Sequence, residues 1–391
     1  MKTNFTNVAG SVTAARGFRA AGLAAGIKKS GKKDMALIVS DVPAAVAAVF
    51  TTNQVKAAPV KLDMAHVKSG TARAIIANSG NANACTGKLG MIHAKAMATG
   101  VARRIGAPTE HVLVCSTGRI GVLLPIVKIE AGIKKLLKHV SREGGHDAAL
   151  GIMTSDKHPK ECAVQFGKFH VGGIAKGAGM IHPNMATMLA FITTDAAISR
   201  GALQRALRHA VNKSFNRVTV DGDMSTNDTV IVLANGVAGK PSMPAFQAAL
   251  DHVCLELAKM LVRDGEGVSK FVTVEIHGAR NDRDAEFAAR AVCNSALVKC
   301  SWCGGDPNWG RLMDAIGYSR AKVVEEKVDI AYNGLLAVKA GQPSRTPVAK
   351  LRKIVKQPVF TIRIDLHLGH GSCTMHASDL TEAYVTFNKG E

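Results

Sequence analysis

Short runs of β-branched and small apolar residues alternate along this chain with segments of helical periodicity, and that alternation restricts the fold to the α/β class. Ala36–Val39, Ala47–Thr51 and Arg73–Ala77 read as strands. The last leads into Asn78-Ser79-Gly80-Asn81-Ala82-Asn83, a tight loop by composition. From Pro244, the residues Phe246, Leu250, Val253, Cys254, Leu257 and Leu261 recur at helical spacing up to Gly265. Phe271–Ile276 reads as a strand. Near the end Phe360, Ile362, Ile364, Leu366 and Leu368 alternate with Thr361, Arg363, Asp365 and His367, which predicts a strand with one buried face. The polar run Asn281-Asp282-Arg283-Asp284 marks the best boundary, dividing a main α/β domain over 1–280 from a smaller C-terminal α/β domain over 281–391.

Composition narrows the function classes. Of 391 residues 47% are hydrophobic and 20% charged, which excludes wholesale disorder. No apolar run reaches the roughly 18 residues of a spanning helix. Lysine and arginine outnumber acids 50 to 30, a net charge of +20 that points toward polyanions. The aromatic content of 4% argues against stacking on bases, so nucleic acid is a weak expectation. Eight cysteines scattered through a chain this long read as reduced thiols, and the expected location is the cytoplasm.

One segment stands out: Lys176-Gly177-Ala178-Gly179-Met180-Ile181-His182-Pro183-Asn184-Met185-Ala186-Thr187-Met188-Leu189. Small residues around a lysine, then Pro-Asn, describe irregular backbone. An apolar run headed by a threonine follows. Such an approach suits a protein that cuts itself to expose an N-terminal nucleophile, whose new α-amine, with a reference pKa of about 7.7–8.0, can serve as base for its own hydroxyl. From the residues alone, an ordinary strand threonine is the more frequent case.

That string closely resembles the processing segment of the ornithine acetyltransferase family, also called the glutamate N-acetyltransferase or ArgJ family. The resemblance runs along nearly the whole chain, through Gly17–Asp41, Ala47–Val60, Ile75–Gly87, Val114–Gly121 (VCSTGRIG), Arg263–Phe271 (RDGEGVSKF) and Gly304–Ser319 (GGDPNWGRLMDAIGYS). The basic N-terminal stretch from Arg16 to Lys33 superficially suggests a transit peptide. It matches the family's folded N-terminus instead, and what lies ahead of it is expected to be too short for a usual leader.

The resemblance implies an αββα sandwich of the DmpA/ArgJ type with the smaller C-terminal domain. It implies self-cleavage between Ala186 and Thr187 into an α chain (1–186) and a β chain (187–391), assembled as α2β2. It further implies a ping-pong transfer in which Thr187 takes acetyl from N2-acetyl-L-ornithine and passes it to L-glutamate. One amide is exchanged for another, so neither ATP nor a metal is needed to drive the reaction; no cofactor is expected, and acetyl-CoA stays open as a co-substrate. Thr117 and Gly118 match the family's oxyanion-hole pair. Substrate contacts carry over to Thr154, Lys176, Thr187, Glu266 and Asn388. For Lys176 an ammonium holding a substrate carboxylate is implied, and for Glu266 a partner for the ornithine amine. Taken alone, each of these two would more often be a solvated loop charge.

The chain also departs from the family pattern. Arg119 replaces a small apolar residue beside the oxyanion pair, and Asn388 is followed only by Lys389-Gly390-Glu391, without the family's terminal hydroxyl residue. An N-terminal-threonine hydrolase or aminopeptidase on a similar fold, and a basic nucleic-acid-binding protein, are the alternatives.

Two weaker signals remain. Gly26–Lys33 nearly spells a phosphate loop, but Lys33 stands where Ser or Thr must meet Mg²⁺, so it reads as a basic turn. Cys300 and Cys303, with His367, His370, Cys373 and His376, superficially suggest zinc. Residues three apart on a strand face opposite ways, however, so ordinary thiols and solvated histidines are the preferred reading.

Overall fold

The computed structural model describes residues 5–181 and 188–389. The cleavage residues Ala186 and Thr187 lie outside the described residues. The chain forms two compact units. The first draws on 1–178, 184–216 and 224–261, and the second on 179–183, 217–223 and 262–391. The second unit therefore begins before the expected boundary at 281. The reason is the strand Phe271–Ala279, which hydrogen-bonds on one side to Val359–Asp365 and on the other to Gly371–Ser378 and so belongs to that unit's sheet.

Both units are α/β, and the described residues form two sheets, one in each unit. In the first unit a nine-stranded sheet runs Thr6–Asn7, Lys160–Phe166, Phe169–Lys176, Leu189–Thr194, Thr229–Ala234, Met35–Phe50, Thr71–Asn81, Val112–Arg119, with Phe18–Leu23 paired to Met35–Phe50 off this path. Alternating side chains of its strands feed two cores. Leu37, Ile76 and Val114 pack with Met97, Val101, Ile129 and Ile133 of the helices Gly87–Ile105 and Ile126–His139. Ile38, Ile75, Leu113, Phe191 and Ile231 face the other way, against Ala148, Ala149 and Ile152 of the helix Gly145–Ile152. Helical residues Leu203, Leu207, Phe246 and Leu250 are also fully buried.

The two short strands expected over 36–39 and 47–51 are one strand, Met35–Phe50. Its pairing with Thr71–Asn81 slips between Val39 and Ala44. The exposed Asp41-Val42-Pro43 sits in that slip, where a proline can be accommodated without breaking a ladder bond, and this is what made the sequence read as two pieces. The expected loop at 78–83 is also corrected, since the strand Thr71–Asn81 continues through Asn81. The helix predicted from Pro244 to Leu261 is Met243–Arg263.

In the second unit Phe271–Ala279 is an inner strand of a seven-stranded sheet, and the buried Val272, Val274, Ile276, Ile330, Ile362 and Ile364 pack against Trp302, Leu312 and Ile316. The alternating C-terminal strand is Val359–Asp365, with Phe360, Ile362 and Ile364 buried. It ends before Leu366 and Leu368 because His367 takes a positive φ of 48°.

Candidate functional site

In the first unit the strand Val112–Arg119 runs parallel to Thr71–Asn81, and its first six residues are buried, as expected of a strand covered on both faces. Thr117 and Gly118 lie at its C-terminal end, opposite Ser79 and Gly80. Gly118 has φ +130°, and a Cβ there would stand 2.4 Å from the Gly80 carbonyl carbon, so only glycine fits this approach. Pairing becomes irregular at Gly80 and Asn81, which places the two strand ends side by side without a regular ladder.

A buried polar network fixes this end. Asn78 accepts from the Ser116 hydroxyl at 2.6 Å and donates to the Asn81 carbonyl at 2.8 Å. Asn81 donates to the carbonyls of Val122 and Leu123. Asn227 donates through one amide nitrogen to the carbonyls of Ala82 at 2.7 Å and Ser116 at 2.8 Å. From the helix Ala58–His66, the buried Asp63 accepts the Val114 N–H at 2.8 Å. Burial pushes the Asp63 carboxyl well above the usual carboxylate range. Sequence reasoning named Thr117 and Gly118 and passed over Asn78, Asn227 and Asp63, which the structure places around them. The density of asparagines at 78–83 was the available signal, since loops seldom need three buried amides.

Lys176 ends the strand Phe169–Lys176 and is only 2% exposed, so it is not a solvated loop charge. Its ammonium donates to the Thr117 Oγ at 3.1 Å. That bond occupies an acceptor site of the hydroxyl and leaves the Thr117 O–H proton free to donate elsewhere, which is what an oxyanion donor requires. Asp156 lies alongside. One of its oxygens accepts from Lys160 at 2.6 Å and from the Gly177 N–H at 2.7 Å, and the other accepts the Thr154 N–H at 2.8 Å. Burial alone would raise the pKa of this carboxyl. The Lys176 and Lys160 charges and the Gly177 N–H outweigh burial and hold it well below the usual carboxylate range. Asp156 thus ties Thr154, Lys160 and the start of the glycine-rich segment into one cluster with Lys176 and Thr117, and sequence reasoning passed over it.

The basic turn at 26–33 borders this region, since a Cβ on Gly80 would meet the Lys28 side chain at 3.0 Å. The turn is built around the buried Asp34, which accepts the N–H groups of Ala25, Ile27 and Lys28 at 2.6, 2.6 and 3.0 Å. A phosphate loop offers such N–H groups to its ligand; here the protein's own carboxylate occupies them. The Lys28 ammonium donates to the carbonyls of Lys33 and Met153, both at 2.7 Å. Its pKa falls to about 8 through burial, partly offset by Asp34 and Asp156 and reinforced by Lys176. Arg119 is exposed.

The second unit brings Glu266 and Asn388 together. The Asn388 side-chain amide donates to Glu266 Oε2 at 3.2 Å and to the Tyr384 carbonyl at 3.0 Å. A Cβ on Gly179 would stand 2.5 Å from the same carboxylate oxygen, so the glycine lets the backbone approach Glu266. The helix Glu382–Asn388 is capped by Thr381, whose hydroxyl also donates to the Gly267 carbonyl at 2.6 Å. Asp221 accepts the N–H groups of Met180 and Ile181 at 2.7 and 2.8 Å. These contacts fix Gly179–Ile181 within that unit.

Among the described residues no group of three or more His, Cys, Asp or Glu is arranged to hold a metal. Cys300 and Cys303 are exposed on the helix Ala296–Cys303, and His367 lies 3.1 Å from Asp329. No helix among the described residues is long and apolar enough to cross a membrane.

The profile of the ArgJ family matches residues 19–390. The arginine biosynthesis bifunctional protein ArgJ of Geobacter sulfurreducens is 49% identical over 386 residues, spanning 95% of this chain and 98% of that protein. The protein of the same name from Symbiobacterium thermophilum is 48% identical over 394 residues, spanning 97% and 98%. Among solved structures, ornithine acetyltransferase complexed with ornithine from Mycobacterium tuberculosis is 44% identical, covers 46% of this chain and 98% of that one, and superposes with a TM-score of 0.45. Likeness of this extent along the sequence defines the class first: the protein is an α/β acyltransferase of arginine biosynthesis. The chain belongs to the ArgJ family.

Proposed function

We propose that this protein cuts itself between Ala186 and Thr187 and then uses the freed Thr187 to carry acetyl from N2-acetyl-L-ornithine to L-glutamate. The observation that carries the reading is the buried strand end at Thr117 and Gly118, with the Lys176 ammonium against the Thr117 hydroxyl, in a chain of the ArgJ family. In the first stage Thr187 Oγ attacks the Ala186 carbonyl, the acyl group shifts from nitrogen to oxygen, and water hydrolyses the ester. The products are a chain ending at Ala186 and a chain beginning at Thr187.

In the second stage the Thr187 α-amine accepts the hydroxyl proton as Oγ attacks the acetyl carbonyl. Ornithine leaves with that proton, and an acetyl ester remains on Thr187. The glutamate amine then attacks the ester, giving N-acetylglutamate and restoring the threonine. The tetrahedral oxyanions of these steps are met by the Thr117 hydroxyl and the Gly118 N–H, donors of a kind worth about 2.7–4 kcal/mol each. Lys176 supplies positive charge beside them and accounts for a substrate carboxylate, with Thr154 alongside; Glu266, oriented by Asn388, takes the cationic amine of ornithine. The reaction as written needs no cofactor. Acetyl-CoA would load the same threonine and is the second donor to assay, because the curated relatives are named bifunctional. Association of the two products as α2β2 in the cytoplasm belongs to the same proposal.

Intact-mass measurement of the purified protein, followed by an acetyl-exchange assay, tests the reading. Two fragments split before Thr187 and transfer to glutamate are expected, with Thr187→Ala giving one uncut, inactive chain. Cleavage of that variant at the same bond overturns the self-cleavage reading, and release of acetyl to water alone favours a hydrolase.

A further inference from the structure

Asp228 has no part in the roles assigned above, yet it is a buried acid bonded to Met188, the residue that follows the threonine in the chain. It stands at the head of the strand Thr229–Ala234, which runs parallel to Leu189–Thr194 with Thr229 opposite Leu189. It is fully buried. Its Oδ1 accepts the Met188 N–H at 2.9 Å, and the neighbouring Thr229 N–H donates to the Met188 carbonyl at 3.1 Å. Both backbone polar groups of Met188 are therefore tied to residues 228 and 229. Asp228 is itself anchored, because its carbonyl accepts the Thr51 N–H at 2.9 Å. The other carboxyl oxygen, Oδ2, has no hydrogen-bond partner among the described residues. The Thr51 hydroxyl close to the carboxyl donates to the Ser225 carbonyl at 2.8 Å.

A bare carboxylate oxygen buried in this way would be costly if charged. Burial drives the Asp228 carboxyl well above the usual range, against the Met188 N–H, the Lys176 charge and the Thr51 hydroxyl, which all favour ionisation. What the side chain offers Met188 is one acceptor oxygen, Oδ1, held at the head of the strand.

We propose that Asp228 is a positioning residue for Thr187: it clamps Met188, the next residue in the chain, and through that peptide holds the threonine in register for self-cleavage and for acetyl transfer. The proposal rests on the reading of Thr187 as the nucleophile. The lever is short, since successive Cα atoms are about 3.8 Å apart. It matters because a misplacement of about 1 Å from attack geometry costs on the order of 100-fold in rate. A clamp of this kind needs an acceptor oxygen at the right reach and does not need a charge.

The test compares Asp228→Ala and Asp228→Asn in the full chain, with Thr187→Ala in parallel. Self-cleavage is followed on denaturing gels, transfer by steady-state kinetics, and folding by circular dichroism. Asp228→Ala loses the acceptor, and its cleavage rate and kcat are expected to fall at least 100-fold with KM changed less than threefold. Asp228→Asn keeps a neutral acceptor and is expected to recover at least a tenth of the wild-type rate, with an unaltered pH–rate profile between pH 5 and 9. A folded Asp228→Ala chain that cleaves and transfers as fast as wild type overturns the proposal. So does a folded Asp228→Asn chain that is 100-fold or more slower than wild type or loses a limb of the profile; these two readouts hold even where the alanine chain fails to fold. An uncut wild type, or a cut Thr187→Ala, refutes the nucleophile reading instead.

Discussion

Replacing Gly118 by alanine tests the oxyanion assignment most directly. The new Cβ would stand 2.4 Å from the Gly80 carbonyl carbon and 2.5 Å from the Asn81 nitrogen. Ordinary contact begins at 3.4 Å, so the two strand ends must separate by about 1 Å. The obstructing atoms are backbone and cannot swing aside. They are also held, because Asn81 is fixed by Asn78 and by the carbonyls of Val122 and Leu123. The displacement therefore falls on the Gly118 N–H and the Thr117 hydroxyl. A shift of about 1 Å at reacting atoms costs on the order of 100-fold, and loss of one oxyanion donor about 100- to 1,000-fold in kcat. The φ of +130° adds backbone strain of about 1–3 kcal/mol. Gly121→Ala is the matched control, with a positive φ of 81° and no atom within 4 Å of the added Cβ. The assays are the time course of self-cleavage on denaturing gels and steady-state transfer from N2-acetylornithine to glutamate. Gly118→Ala should slow both by about 100-fold with little change in KM, while Gly121→Ala should lose stability and keep its rates within about threefold. A Gly118→Ala protein within threefold of wild type in both assays would refute the assignment.

Two further outcomes follow from the buried charges and thiols. Asp156→Asn leaves the buried Lys160 without its carboxylate partner, and loss of one member of such a pair costs about 3–5 kcal/mol, measured by denaturant unfolding. Because the folded carboxyl titrates below its unfolded value of about 3.9, the Asp156 contribution is complete above pH 4 and is lost as pH falls below that; in the variant this part of the acid slope should vanish. Cys85, Cys300 and Cys303 are exposed while Cys115, Cys254, Cys293 and Cys373 are buried, so native-state alkylation followed by mass spectrometry should mark the first three rapidly. Protection of Cys300 and Cys303 together would revive a metal at that pair.

Much of the fold was readable where the hydrophobic pattern has one period over a sufficient length. The helix Met243–Arg263 and the strand Val359–Asp365 are such cases, since their buried faces repeat every three to four or every two residues. The strand Met35–Phe50 was misread because Asp41-Val42-Pro43 interrupts the pattern, and the slip in pairing that tolerates it depends on the partner strand. The run Asn78–Asn83 reads as a loop because asparagine and glycine favour turns, yet the strand continues through Asn81. Its backbone is extended because Asn227 and Ser116, distant in sequence, satisfy its polar groups or those next to it. The boundary at 281 failed for a related reason: a charged surface run precedes a helix, while the strand that assigns the domain comes earlier.

The sequence by itself determined the α/β class and the family, and it nominated Thr117, Gly118, Lys176, Thr154, Glu266 and Asn388 as candidates, because motifs and periodicity are properties of the chain's own order. Only the tertiary structure decided what surrounds those residues. It set Lys176 against the Thr117 hydroxyl, placed Asp156 beside them as a counter-charge, filled the basic turn with Asp34, and put the Asp228 carboxyl on Met188. Hydrogen bonding and desolvation act over a few ångströms between residues up to 59 positions apart along the chain, and neither spacing nor composition encodes that proximity.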